Sequence, residues 1–530
     1  MSAVKRFWIP DSPSSSAWPA IALGAVLSVQ AAFLLLPGPF WDGWIYDLLF
    51  RRGEYGAFMD PFDANGRPLG GRVLWLAMDW FSVTGGPKLL SALSLVGAAM
   101  ALYATLRLRD RLPSAGAALV CVVTVTVPAI QTSLSSSALQ FFLGFFCFFA
   151  GLYGFALAAA SAGWVRVLAY GLALVLGAAS VLLAEAPLSM LPLYPFTWLV
   201  VREGWQRLVR PDRAMLGTLL CHGAPVAAGA LALVATFTLF PATGNYEEAH
   251  SLQLNLLQLV EVAGLFAVAL VMCELPLLLA GSWACAGRSL VGFWRSPAVL
   301  GALAVLVLGI APYLAAGRWP AILGWGTRAL LLSGLGLGLL AWAVAARAIQ
   351  GRVPRQQSVV VLVLCVAAVS CTLWRVPLWA ARQVKDDAVR AAVAGVQLPP
   401  GASTLWVVDP NWVIAAPYRH YEWTALVQLA TDRRDLLALG HVAGDPAAAA
   451  LATATRDLRR EHRLLPQAAP LGCQADLHIA RLPWHWPVTA TLGLLLRAVS
   501  PDAYARWLDG RIAVKIEARD DCRAFERHVD

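Results

Sequence analysis

The chain has 530 residues, 59% of them hydrophobic and only 14% charged, with a formal net charge of +9. Soluble domains carry roughly 25% charged residues, so this composition, with a mean hydropathy of +0.63, excludes an ordinary soluble enzyme and marks an integral membrane protein. Nucleic-acid binding is excluded as well, because the basic residues stand in short clusters between apolar runs and form no continuous stripe.

Lys5 and Arg6 precede an apolar run from Trp18 to Pro37. The run is as long as a full membrane span and lacks a small-x-small cleavage site, so it reads as a retained first helix. Further apolar segments fall at 87–106, 115–133, 138–160, 164–183, 186–202, 214–240, 254–281, 297–316, 328–346 and 357–376. Together they predict about eleven helical spans, each near the roughly 17–25 residues that a bilayer requires. The basic clusters Lys5/Arg6, Arg107/Arg109/Arg111, Arg166, Arg202/Arg207/Arg210/Arg213, Arg288/Arg295 and Arg347/Arg352/Arg355 occupy every second connection. The positive-inside bias therefore places the N-terminus in the cytoplasm and, after an odd number of spans, the C-terminal region outside. The alternate connections agree: 130–137 is uncharged and 241–253 carries Glu247 and Glu248. Abundant Ala, Arg and Trp fit a bacterial inner membrane.

Two outward regions are large. The first, about 38–86, opens with Pro39-Phe-Trp-Asp-Gly-Trp-Ile-Tyr-Asp47. Trp and Tyr settle at the headgroup level of a bilayer and would hold Asp42 and Asp47 at the membrane surface. Two solvated aspartates in an aromatic belt is the plainer reading of the same stretch. The two lie about 140° apart around a helix, so they do not form a carboxylate pair. Asp60 to Gly66 has turn chemistry, and Arg72 to Val83 is apolar enough to lie along the interface. The second region, 379–530, has the charge density of a soluble α/β domain beyond a membrane domain of 1–378. Helices are expected at 380–394, 445–462 and 501–509, and strands at Thr404–Val408, Asp476–Leu482 and Ile512–Glu517. Seven of the nine cysteines lie in apolar runs, while Cys473 and Cys522 are able to pair if the tail faces an oxidising compartment.

Outside the first loop, Glu185 sits among apolar residues at the outer edge of the fifth span, where a carboxylate usually faces a cavity or snorkels from a turn. Arg318 and Arg328 lie in an outward loop, against the positive-inside bias, as do Arg67 and Arg72 in Gly66-Arg-Pro-Leu-Gly-Gly-Arg72. Their planar donor forks suit a phosphate, or simply a lipid headgroup. Glu261 in the outer part of the eighth span, Glu274 nearer its inner end and His222 in the seventh are intramembrane ionisable groups of the kind transporters use. No histidine has metal-ligand spacing, and no phosphate-binding Gly-rich loop or nucleophile elbow is present.

In order and sidedness these residues resemble the GT-C superfamily of membrane glycosyltransferases that use polyprenyl-phosphate-linked sugars. The resemblance rests on Asp42 after the first span, Gly66-Arg-Pro-Leu69 before the second, Glu185 with Leu191-Pro192 after the fifth, and Ala311-Pro312 with Arg328 around the tenth. A Val-x-Leu-Pro-Pro-Gly lead at 396–401 is similar to the entry into the outer domain of such proteins. The chain departs from the pattern by lacking a second acid directly adjacent to Asp42 and an Arg in the 130–137 loop. The resemblance implies an all-α polytopic fold with a small C-terminal α/β domain outside the membrane. It also implies transfer of a sugar from a polyprenyl phosphate to a glycan, lipid or protein acceptor. Asp42 would be the general base, Glu185 and Asp47 further catalytic-site carboxylates, and Arg328, Arg67, Arg72 and Arg318 the phosphate ligands. No cofactor is demanded, and a divalent cation, Mg or Mn, between Asp42 and the phosphate is compatible with the residues. A transporter or flippase of a lipid-linked substrate and a non-catalytic membrane scaffold are the competing readings.

Overall fold

The structure is a computed structural model of the chain. It describes residues 17–110, 112–204, 213–243, 256–288, 291–316, 318, 320–323, 325–396, 398, 402–411, 418–440, 473–509 and 511–518. The helix expected over 445–462, the acids Glu247 and Glu248, the side chain of Cys473 and all of Cys522 lie outside the described residues.

Each predicted apolar segment coincides with a helix or a bent helix pair. They are α1 Trp18–Leu34, and then, after the first loop, α5 Gly85–Arg107, α6 Ser114–Val125 with a 3-10 turn Pro128–Leu134, α7 Leu139–Ala160 and α8 Gly163–Leu183. Next come a 3-10 turn Ala186–Met190 with α9 Leu193–Glu203, α10 Arg213–Cys221 with α11 Ala224–Leu239, and α12 Leu256–Cys273 with α13 Leu275–Ala284. The set closes with α14 Pro297–Ala315, a 3-10 turn Trp325–Leu330 with α15 Ser333–Ile349, and α16 Pro354–Leu373. Among the described residues five helices are long and apolar enough to cross a bilayer alone, and eight do so if each bent pair counts once. Proline or polar residues explain the breaks, since Pro128, Pro225 and Pro276 open the second member of each pair and cannot extend the first. The bend at Glu274 is 71°. It leaves this carboxylate beside Cys371 and Arg375. Glu274 thus sits at the C-terminal end of α16, the end that leads into α17 and carries the first loop, where the sequence pattern had put it near the opposite end of its span.

The bundle's two ends differ in chemistry. At one end arginines cap helix C-termini, as cations should. Arg109 donates to the carbonyls of Ala160 (3.0 Å) and Val201 (3.4 Å), and Arg202 donates to that of Ala159 (3.0 Å). At the other end the first loop folds as α2 Gly43–Arg51, α3 Tyr55–Ala64 and α4 Pro68–Trp80. Of the turn expected at 60–66 only Asn65 and Gly66 turn, because residues 60–64 continue α3, and the helix expected at 72–83 is α4, beginning four residues earlier because Pro68 is favoured in a first turn.

The C-terminal part starts with α17 Val376–Gly395, which follows α16 after a turn at Trp374–Arg375. It continues as β1 Ala402–Val408, α18 His420–Thr431, β2 Leu437–Gly440, β3 Cys473–Ile479, α19 Trp486–Val499, α20 Pro501–Leu508 and β4 Val514–Ala518. The sheet order is β2-β1-β3-β4, with β1 parallel to both neighbours and β3 antiparallel to β4. Thr424 on α18 ties helix to sheet, its hydroxyl bonding both the carbonyl and the amide of Ala438 at 3.0 Å. The strand β2 escaped the sequence reading because Leu-Ala-Leu-Gly has neither β-branching nor alternation.

Close helix packing depends on small residues. On α15, a Cβ at Gly336 would lie 2.4 Å from the Leu306 backbone nitrogen on α14, and one at Gly338 would lie 2.7 Å from the Val120 carbonyl on α6. Gly301 on α14 has nothing within 4 Å. Gly336→Leu is therefore expected to destabilise the bundle by about 1–3 kcal/mol or more, as overpacking does, and Gly301→Leu to leave it unchanged. Thermal unfolding of the two variants, followed by size-exclusion fluorescence, checks this. Equal melting points would remove the packing argument.

Candidate active site

The segment 35–42 is fixed from several sides. The ammonium of Lys88 on α5 donates to the carbonyls of Leu36 and Gly38, which follow the end of α1, and lies 5.1 Å from the Phe40 ring centre. The Gly38 amide donates to Gln383 on α17 (2.7 Å). Trp41 then takes a left-handed conformation (φ 49°), which is costly for a bulky residue and persists only where neighbours enforce it. The neighbour is Trp379 on α17, whose ring meets Trp41 at 4.6 Å and Phe40 at 5.3 Å while its indole N–H donates to Gln131 (3.0 Å).

This kink delivers Asp42 to the start of α2. Aspartate is a favoured helix cap, yet the Asp42 carboxylate caps nothing. It accepts a hydrogen bond from the Tyr421 hydroxyl at 2.7 Å instead. Tyr421 lies in the first turn of α18, and Arg419 donates to its oxygen (3.3 Å). Burial, and then the Asp42 and Glu422 carboxylates, push the Tyr421 phenol well above its ordinary 10.0, so it keeps its proton and remains a donor. The Glu422 carboxylate accepts from the Arg419 amide (2.7 Å), and Tyr418 donates to Asp386 while accepting from the Trp44 indole (3.0 Å). Arg382 stands 3.7 Å over the Tyr418 ring. The stretch Tyr418–Glu422 thus binds α2, α17 and α18 into one corner.

A second group faces it. Arg67, just before α4, grips Glu185 with two parallel hydrogen bonds, Nε to Oε1 at 2.7 Å and Nη2 to Oε2. Such a fork fixes the plane of the guanidinium. Two arginines stand over the Phe141 ring on α7, Arg67 at 5.4 Å and Arg328 at 5.5 Å from its centre. The charges of Arg67, Asp42 and Arg318 all act on Arg328, and Tyr313 on α14 lies within reach of Arg328, Arg67, Glu185 and Arg318. The Asp42 carboxylate is thus set towards the guanidinium groups of Arg67 and Arg328, with Glu185 already engaged by Arg67.

Four of the residues singled out from sequence, Asp42, Arg67, Glu185 and Arg328, thus meet at one place, with exposed Arg318 at its margin. Asp47 is elsewhere in role: it is buried and bonded to Arg51 at 2.6 Å, with burial raising its pKa and Arg51 opposing the rise. Arg72 is exposed on α4, and its charge acts on Asp63. The sequence reading missed Tyr421, Arg419, Glu422, Tyr313 and Phe141. The run Tyr418-Arg-His-Tyr-Glu422 is conspicuous for a loop, but nothing local ties it to a residue in the first loop. The donor set makes no cation seat on its own, because both Glu185 oxygens are taken by Arg67 and no three His, Cys, Asp or Glu residues gather among the described residues.

No family model and no curated protein matches the sequence. Solved structures do match. ArnT from Cupriavidus metallidurans bound to undecaprenyl phosphate is 13% identical, covering 92% of this chain and 95% of its own, with a TM-score of 0.50. The apo state of that protein matches with 13% identity, 88% and 93% coverage and the same TM-score of 0.50. The chain shares the fold of ArnT. Packing of α18 on α2 and α17 brings the sheet-bearing C-terminal part onto the first loop, which is how Tyr421 comes to reach Asp42.

Glu422 supplies a pH test. Burial first, and then the Asp42 carboxylate, push it up to about 8 from an ordinary 4.5. A raised carboxyl pKa means that the folded state holds a proton the unfolded state releases, so its stabilising contribution is full below about 4.5 and is lost as pH rises through about 8. Melting temperature is expected to fall between these limits, and Glu422→Gln to flatten the fall. An unchanged slope in that variant would exclude Glu422 as the source.

Proposed function

We propose that the protein is a glycosyltransferase that moves a sugar from a polyprenyl-phosphate-linked donor to an acceptor hydroxyl, with Asp42 as general base. The observation that carries the reading is the meeting of a carboxylate from the first loop with Arg67 and Arg328 around Phe141, at the membrane end of a GT-C fold. Undecaprenyl phosphate bound to ArnT supports the same class of donor for this chain.

The chemistry follows from the geometry. The donor phosphate sits against the guanidinium groups of Arg328 and Arg67, with Arg318 at the entrance. Asp42 takes the proton of the acceptor hydroxyl as its oxygen bonds to the anomeric carbon. The bond from that carbon to the phosphate oxygen breaks, and the electron pair leaves with the lipid phosphate, where the arginines stabilise the growing charge. Attack from the face opposite the leaving phosphate inverts the anomeric centre. Glu185 acts through Arg67, fixing its plane; Asp47 holds Arg51 and thereby the first loop. Tyr421 keeps one Asp42 oxygen occupied, so the other is the one left for the acceptor proton. In this reading the active site faces the periplasm and residues 379–530 form the domain that closes over it.

The transporter reading finds less support, because its three groups have separate surroundings. His222 stacks on Trp198 at 3.9 Å, Glu274 lies beside Cys371 and Arg375, and Glu261 is exposed on α12.

The test is transfer of label from a polyprenyl-phosphate sugar mixture by the protein in vesicles. Asp42→Asn is expected to lower kcat by about 10²–10⁴-fold, the usual worth of a positioned base, without loss of protein from the membrane. Transfer by that variant at the wild-type rate would overturn the assignment. Tyr421→Phe removes one hydrogen bond to a charged group and is expected to lower kcat about tenfold with KM little changed.

A further inference from the structure

Helix α19 is apolar on both faces. Its buried side, Trp486, Ala490, Gly493 and Leu494, packs on α17 and α20. Its outer side presents Val488 (64% exposed), Leu492 (62%), Leu495 (47%) and Val499 (85%), with Trp484 (92%) just ahead of the helix. Residues 488, 492, 495 and 499 are spaced by four, three and four, which puts them within about 60° on one helix face, and that face carries no charge. A helix that is hydrophobic all round belongs inside a protein or in lipid. Water is the wrong neighbour for it.

The position of α19 says which. Its anchors are firm: the Trp486 indole donates to the Ala381 carbonyl (3.2 Å), and Arg497 donates to Asp387 (2.7 Å), which also accepts from Tyr504 (2.8 Å). Both acceptors are on α17, which continues α16 out of the bundle after a single turn. The C-terminal end of α19 is tied to the ends of α1 and α5 by a chain of hydrogen bonds: Asp387 also accepts from Gln383 (3.1 Å), Gln383 accepts from the Gly38 amide (2.7 Å), and the Gly38 carbonyl accepts from Lys88 in the first turn of α5. Within the next turn of α5, on another face from buried Lys88, Leu89 and Leu93 are exposed, and Trp80 and Phe81 are exposed just before that helix. The C-terminal end of α19 therefore stands at the level where the apolar surface of the bundle begins, with exposed Trp80 and Phe81 at the same end. Arg481, Trp484 and His485 at its start have the rim chemistry of an interface-lying helix.

We infer that α19 lies in the bilayer interface, its face Val488, Leu492, Leu495 and Val499 sunk among the lipids of the leaflet on the Asp42 side. The C-terminal part is then held to the membrane by two independent attachments, the covalent one through α17 and a lipid-borne one through α19. This inference does not depend on the reaction proposed above.

The test uses the full chain in vesicles of phosphatidylcholine and phosphatidylglycerol containing a trace of phosphatidylcholine with a diazirine at the acyl-chain end. After photolysis, labelled peptides are mapped by mass spectrometry. Peptides covering 484–499 are expected to carry label within about tenfold of those from Gly85–Arg107, as an interfacial helix at acyl-chain depth should. Label on Gly85–Arg107 with 484–499 bare would overturn the inference. If the chain is then also dimeric by native mass spectrometry, a second copy covers the face instead. The double variant Val488→Glu with Leu492→Glu changes only exposed side chains and is expected to lower labelling of 484–499 by about tenfold. Wild-type labelling in that variant also overturns the inference, and should the variant aggregate, the wild-type map decides alone.

Discussion

The arrangement depends on the contact between Trp379 and the kinked segment at Trp41. A left-handed tryptophan is unstable on its own and needs an outside hold. Here one indole on α17 meets both Phe40 and Trp41 and is itself oriented by Gln131 in the turn after α6. The ammonium of Lys88 finishes the end of α1 from another side. Without that hold, Asp42 would be free to cap α2 as aspartates ordinarily do, and its carboxylate would turn away from Tyr421 and the arginines. Helices as far apart in sequence as α1, α6 and α17 thus converge on the conformation of one residue.

The membrane part of this architecture is legible in the sequence because lipid imposes one rule everywhere: apolar length and loop charge repeat with each crossing. The helix positions follow, and so does the gathering of Arg109 and Arg202 at one end with Glu185 and Asp42 at the other. Breaks are harder to see. Glu274 looks like an ordinary intramembrane acid near the inner end of a long run, and only the bend beside Pro276 puts it next to Arg375. The length of the run is a local property, while the direction of the chain through it is not.

The site is half legible for the same reason. Asp42, Arg67, Glu185 and Arg328 are out of place where they stand, as polar groups at a lipid edge, and this marks them one at a time. Arg72 and Asp47 look equally out of place, but the fold pairs Asp47 with Arg51 and sets Arg72 by Asp63. Tyr421, Arg419 and Glu422 stand in a soluble-looking tail where such residues are ordinary. Their importance comes from a tertiary contact, and no periodicity or spacing encodes it. The reverse holds for α19, whose unusual character is plain in its composition once its exposed face is known.

The hydrogen bond between Tyr421 and Asp42 joins residues 379 positions apart. On the ribosome, at the usual 5–20 residues per second, that separation corresponds to a delay of roughly 20–80 s. Throughout this interval the first loop is already at the membrane surface, while the tyrosine that seats its carboxylate has yet to be made. The Arg67–Glu185 pair, only 118 positions apart, has time to form well before. Birth order therefore assembles the cationic side first and seats the carboxylate last, so a chain released early would carry the lipid-facing machinery with its acid unfastened.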